Sequence, residues 1–306
     1  MISLTLGRRR LLSLASLSST WTAPVFPRLG IAAAPSGAAS SVPASPISPW
    51  TSLPPTPALP SPTASGLLET LGARLFHASF GTTGEPVLLL HGGLASSNWW
   101  GHLIPVLASH HRVFVLDTRG HGRSTLGSPP LTYPQLALDV VTLLDALGLA
   151  RTAVVGWSDG GIAGLELAIT APGRVSGLFA FGANYNRAGG RTDAQAQPMV
   201  RAYEARCASE YRALAPQPAG YDRLRQALRG LWKSGPDHTP RQLSAIRTPT
   251  TIAAGEHDEF ILEPHTRAMA ATIPGAVLFL QPGVSHFAML QDPSGFAAAV
   301  MRFLNA

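Results

Sequence analysis

The residues whose types and spacing could most clearly do chemistry are Gly156-Trp157-Ser158-Asp159-Gly160-Gly161, which follow the apolar run Ala153 to Val155 and open a stretch of helical spacing. A serine on a tight strand-to-helix turn needs glycine two positions either side, because the crowded backbone leaves no room for Cβ atoms there. Such a turn lifts the Ser158 hydroxyl into the open above a helix N-terminus, where it could serve as a nucleophile. An ordinary glycine-rich turn between strand and helix has the same composition, so this motif alone leaves both readings open.

Three further clusters supply what a serine nucleophile requires. Leu90-His91-Gly92-Gly93 follows another apolar run. There the Gly93 backbone N–H, with that of Asp159, would form an oxyanion hole, and Leu94 is the alternative first donor. Gly255-Glu256-His257-Asp258-Glu259 places carboxylates after a late apolar run, and His286 follows the last one. His257 reads as a loop residue, because His286 alone follows the final strand. The order Ser, Asp, His along the chain suits a strand-end serine hydrolase.

These residues need strands to present them. From Leu67 onward, short apolar runs alternate with longer helical patterns, predicting a largely parallel sheet with helices on both faces. Ala73 to Ala78 and Pro86 to Leu90 read as a hairpin leading into a buried strand. Val113 to Leu116, Ala153 to Val155, Leu178 to Phe181, Thr250 to Ala254 and Val277 to Leu280 read as further strands, with helices over Gln135 to Leu147 and Gly161 to Ile169. Ligands in such sheets sit at the carboxyl ends of the strands, which is where the reactive residues fall.

With Asp117-Thr118-Arg119-Gly120-His121-Gly122-Arg123-Ser124 added, five motifs stand in one order, and from about Gly66 to Phe303 the chain resembles the α/β-hydrolase superfamily. Gly156-Trp157-Ser158-Asp159-Gly160-Gly161-Ile162, with Gly182-Ala183-Asn184 after the next strand, is similar to the valacyclovirase-type group of serine hydrolases. The resemblance implies Ser158 as nucleophile, His286 as general base and then acid, and Asp258, rather than Glu256 or Glu259, as the carboxylate orienting the imidazole. It implies a structural part for His91, and Asp117, Arg119, His121 and Ser124 read as a turn held by side-chain hydrogen bonds. Asp159 has two readings: the group's preference for α-amino esters makes it an amine partner, and its helix N-terminus makes it a dipole-stabilising carboxylate. Leu94, Trp99 and Trp157 are candidate substrate-binding residues, the tryptophans equally suited to core packing. Cys207 reads as inert.

A small-molecule ester, lactone or activated amide is the expected substrate class. A cofactor-free perhydrolase or haloperoxidase-like enzyme could use the same three residues, and a non-catalytic binding protein could keep the fold. The complete Ser158, Asp258, His286 set argues against the last. Dehalogenases and epoxide hydrolases need aspartate where Ser158 stands. No metal-ligand spacing and no dinucleotide-binding Gly-x-Gly-x-x-Gly is present, so neither metal nor cofactor is expected.

The chain has 306 residues and a formal net charge of +6. Four of its 23 basic residues precede Glu69, the first acid, which leaves 19 basic against 17 acidic residues. No nucleic-acid partner is therefore expected. Residues 1–34, with Arg8-Arg9-Arg10, a short apolar run and Ala32-Ala33-Ala34, read as a twin-arginine-like export signal directing the protein to export machinery, periplasm or medium. A misassigned start or a mitochondrial-type presequence is the alternative. The apolar run is far below the roughly 20 residues that span a bilayer, so no stable membrane anchor is expected. Residues 35–66 read as a disordered Pro/Ser-rich linker, and residues 67–306 as the hydrolase domain. A helical cap is expected at about 185–247, where Tyr185 to Ala245 carries 10 basic and 5 acidic residues. That excess favours anionic substrates or marks a solvated helical face.

Overall fold

A computed structural model describes residues 48–306. The leader at 1–34 and the linker up to residue 47 lie outside the described residues.

Eight strands form one sheet: β1 (Ala64–Thr70), β2 (Ala73–Phe80), β3 (Pro86–Leu90), β4 (Arg112–Leu116), β5 (Thr152–Trp157), β6 (Val175–Phe181), β7 (Thr250–Gly255) and β8 (Val277–Gln281). Their order is β1-β2-β4-β3-β5-β6-β7-β8. All pairs from β4 to β8 are parallel, and β1 and β2 run antiparallel at one edge. Every residue of β3, β5 and β7 is buried, as expected of parallel strands covered on both faces. The exposed, alternating β1 is the edge strand.

The helices are α1 (Leu103–Ala108), α2 (Tyr133–Ala146), α3 (Asp159–Thr170), α4 (Pro198–Leu214), α5 (Tyr221–Ser234), α6 (Pro240–Ala245), α7 (Glu263–Thr272), α8 (Ala288–Gln291) and α9 (Pro293–Leu304). α3 is apolar nearly all round and is buried from Asp159 to Ala168, between the sheet and its neighbours. The stretch between β6 and β7 carries α4, α5 and α6. α5 buries Tyr221, Leu224, Leu228 and Leu231, one face at helical spacing, and leaves its arginines outside. Among the described residues no helix is long and apolar enough to cross a membrane.

Two expectations are corrected. The hairpin is β1–β2, closed by Leu71 and Gly72 at φ of 42° and 73°, the left-handed pair that a two-residue turn demands; β4 lies between β2 and β3. The Pro/Ser-rich run also ends earlier than its composition suggests. Residues 64–66 belong to β1, and residues 48–63 lie on the domain surface. There Arg206 of α4 donates to the carbonyls of Leu53 and Pro54, Gln291 donates to that of Ser52, and Trp50 stacks on His257 with ring centroids 4.3 Å apart. A proline-rich segment cannot make a core, but it can cover one that already exists.

Candidate active site

Ser158 stands between β5 and α3 with φ 55° and ψ −120°, a region that residues with a Cβ avoid. Its N–H donates to the Phe181 carbonyl at 2.8 Å, which holds the turn against β6. The flanking glycines are required by contact. A Cβ on Gly156 would lie 2.4 Å from the Gly160 carbonyl oxygen, and one on Gly160 would lie 2.1 Å from that of Leu90. The motif therefore packs β5, α3 and the end of β3 against one another beneath the hydroxyl.

His286 and Asp258 sit beyond β8 and β7. The His286 Nδ1 lies 2.8 Å from Asp258 Oδ2 and 3.0 Å from Oδ1, with both side chains buried. Asp258 Oδ1 also accepts the N–H groups of Phe260 and Ile261 at 2.8 and 2.9 Å, so the carboxylate is aimed before it meets the ring. Nδ1 is thus engaged by Asp258, and among the described residues no hydrogen bond occupies Nε2.

The neighbouring acids have other tasks. Glu259 accepts the His286 N–H and Glu256 accepts the Gly283 N–H, so three carboxylates of one loop fasten the loop that carries His286. Burial raises the Glu259 pKa above the ordinary glutamate value. His257 stacks on Trp50 away from the cavity.

Gly182 makes room for this pair. It has φ of 60°, and an added Cβ would fall 2.7 Å from His286 Cε1. Gly182→Ala is expected to push the imidazole aside and lower kcat by at least about tenfold, since a displacement near 1 Å can cost about a hundredfold. Turnover of a chromogenic ester, read beside the thermal midpoint, checks it. Unchanged kcat in a folded protein would refute it.

On the facing side, His91 is fixed by its own loop: Nδ1 lies 2.8 Å from the Gly92 carbonyl oxygen and Nε2 accepts the Thr118 N–H at 3.0 Å. The segment from Asp117 to Ser124 is a buried turn. Asp117 accepts the N–H groups of Ser97 and Arg123, and Arg119 forms a bidentate pair with Asp139 at 2.6 and 2.7 Å. Burial and the neighbouring His91 push His121 down to about 3, so it stays neutral. Gly93 and Leu94 follow this support. Among the described residues nothing accepts the backbone N–H of Gly93, Leu94 or Asp159, which are the three donors the oxyanion reading names.

A cavity of about 260 Å³ brings these elements together; Ser158, His286, Gly93, Leu94 and Asp159 all line it. Two expected lining residues are corrected. Trp99 and Trp157 are fully buried and do not reach the cavity, stacking on each other with ring centroids 5.1 Å apart. Trp157 backs the His286 ring at 5.7 Å, and Trp99 donates to Glu210 of α4, so both pack the site from behind. The aromatic wall comes instead from Tyr133, Tyr203, Trp232 and Phe260. Nothing in the local sequence marks these four, which lie on α2, α4, α5 and the Asp258 loop.

Asp159 is the polar hub of the cavity. Its Oδ1 accepts the Tyr133 hydroxyl at 2.7 Å, and Trp232 Nε1 donates to Oδ1 and Oδ2 at 3.1 and 2.9 Å. Burial raises its pKa, opposed by the Tyr133 and Trp232 hydrogen bonds and by His286. Cys207 is buried within α4, and burial drives its thiol pKa upward. Among the described residues no group of three or more His, Cys, Asp or Glu side chains could hold a metal.

Comparison with known proteins agrees with this architecture. A family model of the alpha/beta hydrolase fold matches residues 85–200. The candidate carbamate hydrolase RutD of Caulobacter sp. (strain K31) is 31% identical over 261 residues, covering 76% of this chain and 96% of that protein. Among solved structures, a hydrolase from Pseudomonas aeruginosa PA01 is 29% identical, with a TM-score of 0.64 over 80% of this chain and 99% of that one. Est816, described as an N-acyl homoserine lactone degrading enzyme, is 25% identical, with a TM-score of 0.65 over 78% of this chain and 100% of that one. A strand-end serine, a histidine–aspartate pair after the last two strands, a mostly parallel eight-stranded sheet and a relative matched over nearly its whole length agree: the chain belongs to the α/β-hydrolase family and is a hydrolase.

Proposed function

We propose that the protein cleaves a small carboxylic ester, lactone or activated amide through an acyl-enzyme on Ser158. One observation carries this reading: Ser158, held at φ 55°, shares a cavity with His286, whose Nδ1 is engaged by Asp258. In the proposed cycle Ser158 Oγ attacks the substrate carbonyl carbon while His286 Nε2 takes its proton, and Asp258 stabilises the imidazolium. The carbonyl oxygen becomes an oxyanion facing the N–H of Asp159 and of Gly93, with Leu94 as alternative donor. His286 then protonates the departing oxygen or nitrogen. Water, deprotonated by His286, releases the acid and restores Ser158.

The substrate class follows from size and kinship. A cavity of about 260 Å³ suits a compact ligand. The carbamates and lactones named for RutD and Est816 share with esters a carbonyl carbon bearing a departing heteroatom. A labelled fluorophosphonate should modify Ser158 alone, and p-nitrophenyl butyrate should give a stoichiometric burst of p-nitrophenol. Label on another serine would overturn the assignment. We also propose export, carried by the arginine-containing leader; a full-length cytoplasmic band on fractionation would refute it.

For Asp159 the hydrogen bonds favour a tie over an amine-binding role, because Tyr133 and Trp232 already use its oxygens. Asp159→Ala leaves both donors unpaired, at about 1–3 kcal/mol. Activity on amino-acyl and on neutral acyl esters is expected to fall by the same factor. A loss confined to amino-acyl esters would restore the amine reading.

A further inference from the structure

The oxyanion loop contains one peptide that the core leaves unsupported. Gly92 accepts the Ala95 N–H at 3.2 Å and Ser97 is held by Asp117, so the loop is anchored before and after. The peptide joining Gly93 to Leu94 has a single partner among the described residues: the hydroxyl of Tyr203, from α4, donates to the Gly93 carbonyl. Tyr203 is buried, at 5% exposure, packed against Trp99, Trp157 and Phe287. Leu94, the next residue, sits at φ 68°, a left-handed conformation that a leucine disfavours. Turning this peptide plane over would return Leu94 to negative φ and reverse the directions of its carbonyl and N–H, which are antiparallel in a planar trans peptide.

The loop alone therefore favours the flipped arrangement, and the contact opposing the flip comes from the helical segment between β6 and β7. We propose that Tyr203 is a positioning residue, whose hydroxyl locks the Gly93–Leu94 peptide so that the Leu94 N–H, the alternative loop donor named above, and not the Gly93 carbonyl, is offered to the oxyanion. This rests on the acyl-enzyme reading above. It makes α4 part of the oxyanion hole's support as well as a cover, and it assigns a reason to the strained backbone of Leu94.

The test compares the full-length wild type with Tyr203→Phe, which removes the hydroxyl and keeps the ring. Turnover of p-nitrophenyl butyrate is measured with the inhibition constants of butylboronic acid, which forms a tetrahedral adduct on the serine, and of butyrate, which does not. Tyr203→Phe is expected to lower kcat about tenfold or more with KM within twofold, and to weaken the boronate by a similar factor while butyrate is unaffected. Leu94→Gly in the Tyr203→Phe background should recover part of kcat, because glycine accepts positive φ freely. The proposal is overturned if kcat and boronate affinity stay within twofold of wild type, or if boronate and butyrate weaken equally. Should Tyr203→Phe fail to fold, Leu94→Val decides. It makes the left-handed backbone costlier, so an unchanged boronate-to-butyrate ratio overturns the proposal and a fallen one supports it. A wild type without Ser158-dependent turnover overturns the acyl-enzyme reading itself, whereas an active wild type indifferent to Tyr203→Phe removes only the positioning role.

Discussion

Ser158→Ala is expected to lower kcat for p-nitrophenyl butyrate by about four to six orders of magnitude and to leave KM and the thermal midpoint nearly unchanged. The size of the loss follows from the division of labour at the site. His286 is engaged by Asp258 through Nδ1, and in the proposed cycle its other nitrogen moves protons between Ser158, the departing group and water. With the hydroxyl gone, the histidine, the aspartate and the backbone donors have no bond to make. The stability change is small because the Ser158 side chain makes no hydrogen bond among the described residues, while the turn is held by its backbone and glycines. Alanine must still adopt φ 55°, so it neither relieves nor adds backbone strain. His286→Ala, and the double variant with Ser158→Ala, should cost about as much as the single serine change, since the residues act as a unit. Losses that multiply would show that they act separately, and activity surviving Ser158→Ala would remove the nucleophile assignment.

How much of this was legible in the sequence depended on whether a feature is local. The turn glycines, the apolar parallel strands and the order Ser158, Asp258, His286 each follow from short-range rules, because a strand end and its loop are read from adjacent residues. The preference for Asp258 over Glu256 and Glu259 needed the resemblance. The structure shows why spacing could not decide: all three carboxylates grip the same loop, and only Asp258 meets the imidazole. Adjacency to Gly93 and Ser158 makes Trp99 and Trp157 candidates for the cavity, yet a side chain beside a reactive residue can point into the core as readily as toward substrate, and both are fully buried. Tyr133, Tyr203 and Trp232 were invisible for the opposite reason. They reach the cavity from helices far along the chain, and helical periodicity alone does not show that one residue of a buried stripe ends at a cavity. The pairing at the antiparallel edge is not legible, because β4 inserts between β2 and β3, a crossover that composition does not encode.

Removing residues 48–63 is expected to lower stability by about 2–4 kcal/mol, or roughly 5–15 °C in thermal midpoint for a domain of this size, when residues 64–306 are compared with 48–306. The segment would be dismissed as a spacer on composition, since it has no charge and six prolines in its 16 residues. The same prolines argue for docking: a chain already restricted in φ loses less conformational freedom when it is laid on a surface. Leu53 and Leu59 pack against the core, the Leu53 carbonyl accepts from Arg206 at 2.7 Å, and Gln291 reaches the Ser52 carbonyl at 2.9 Å. Fit is close at Gly101, where a Cβ would come within 2.6 Å of the Ala58 carbonyl oxygen. The segment therefore links α4 to α8, whose Gln291 in turn accepts the Ser285 N–H beside His286. Through Trp50 it also touches His257, next to Asp258. Truncation should thus lower kcat modestly as well as the midpoint, and Arg206→Ala in the intact chain should reproduce part of both effects. A midpoint within 2 °C of the longer form, by calorimetry, would show that the strap only rests on the domain. A lowered midpoint with unaltered kcat would show that it supports the fold without steadying the acid loop.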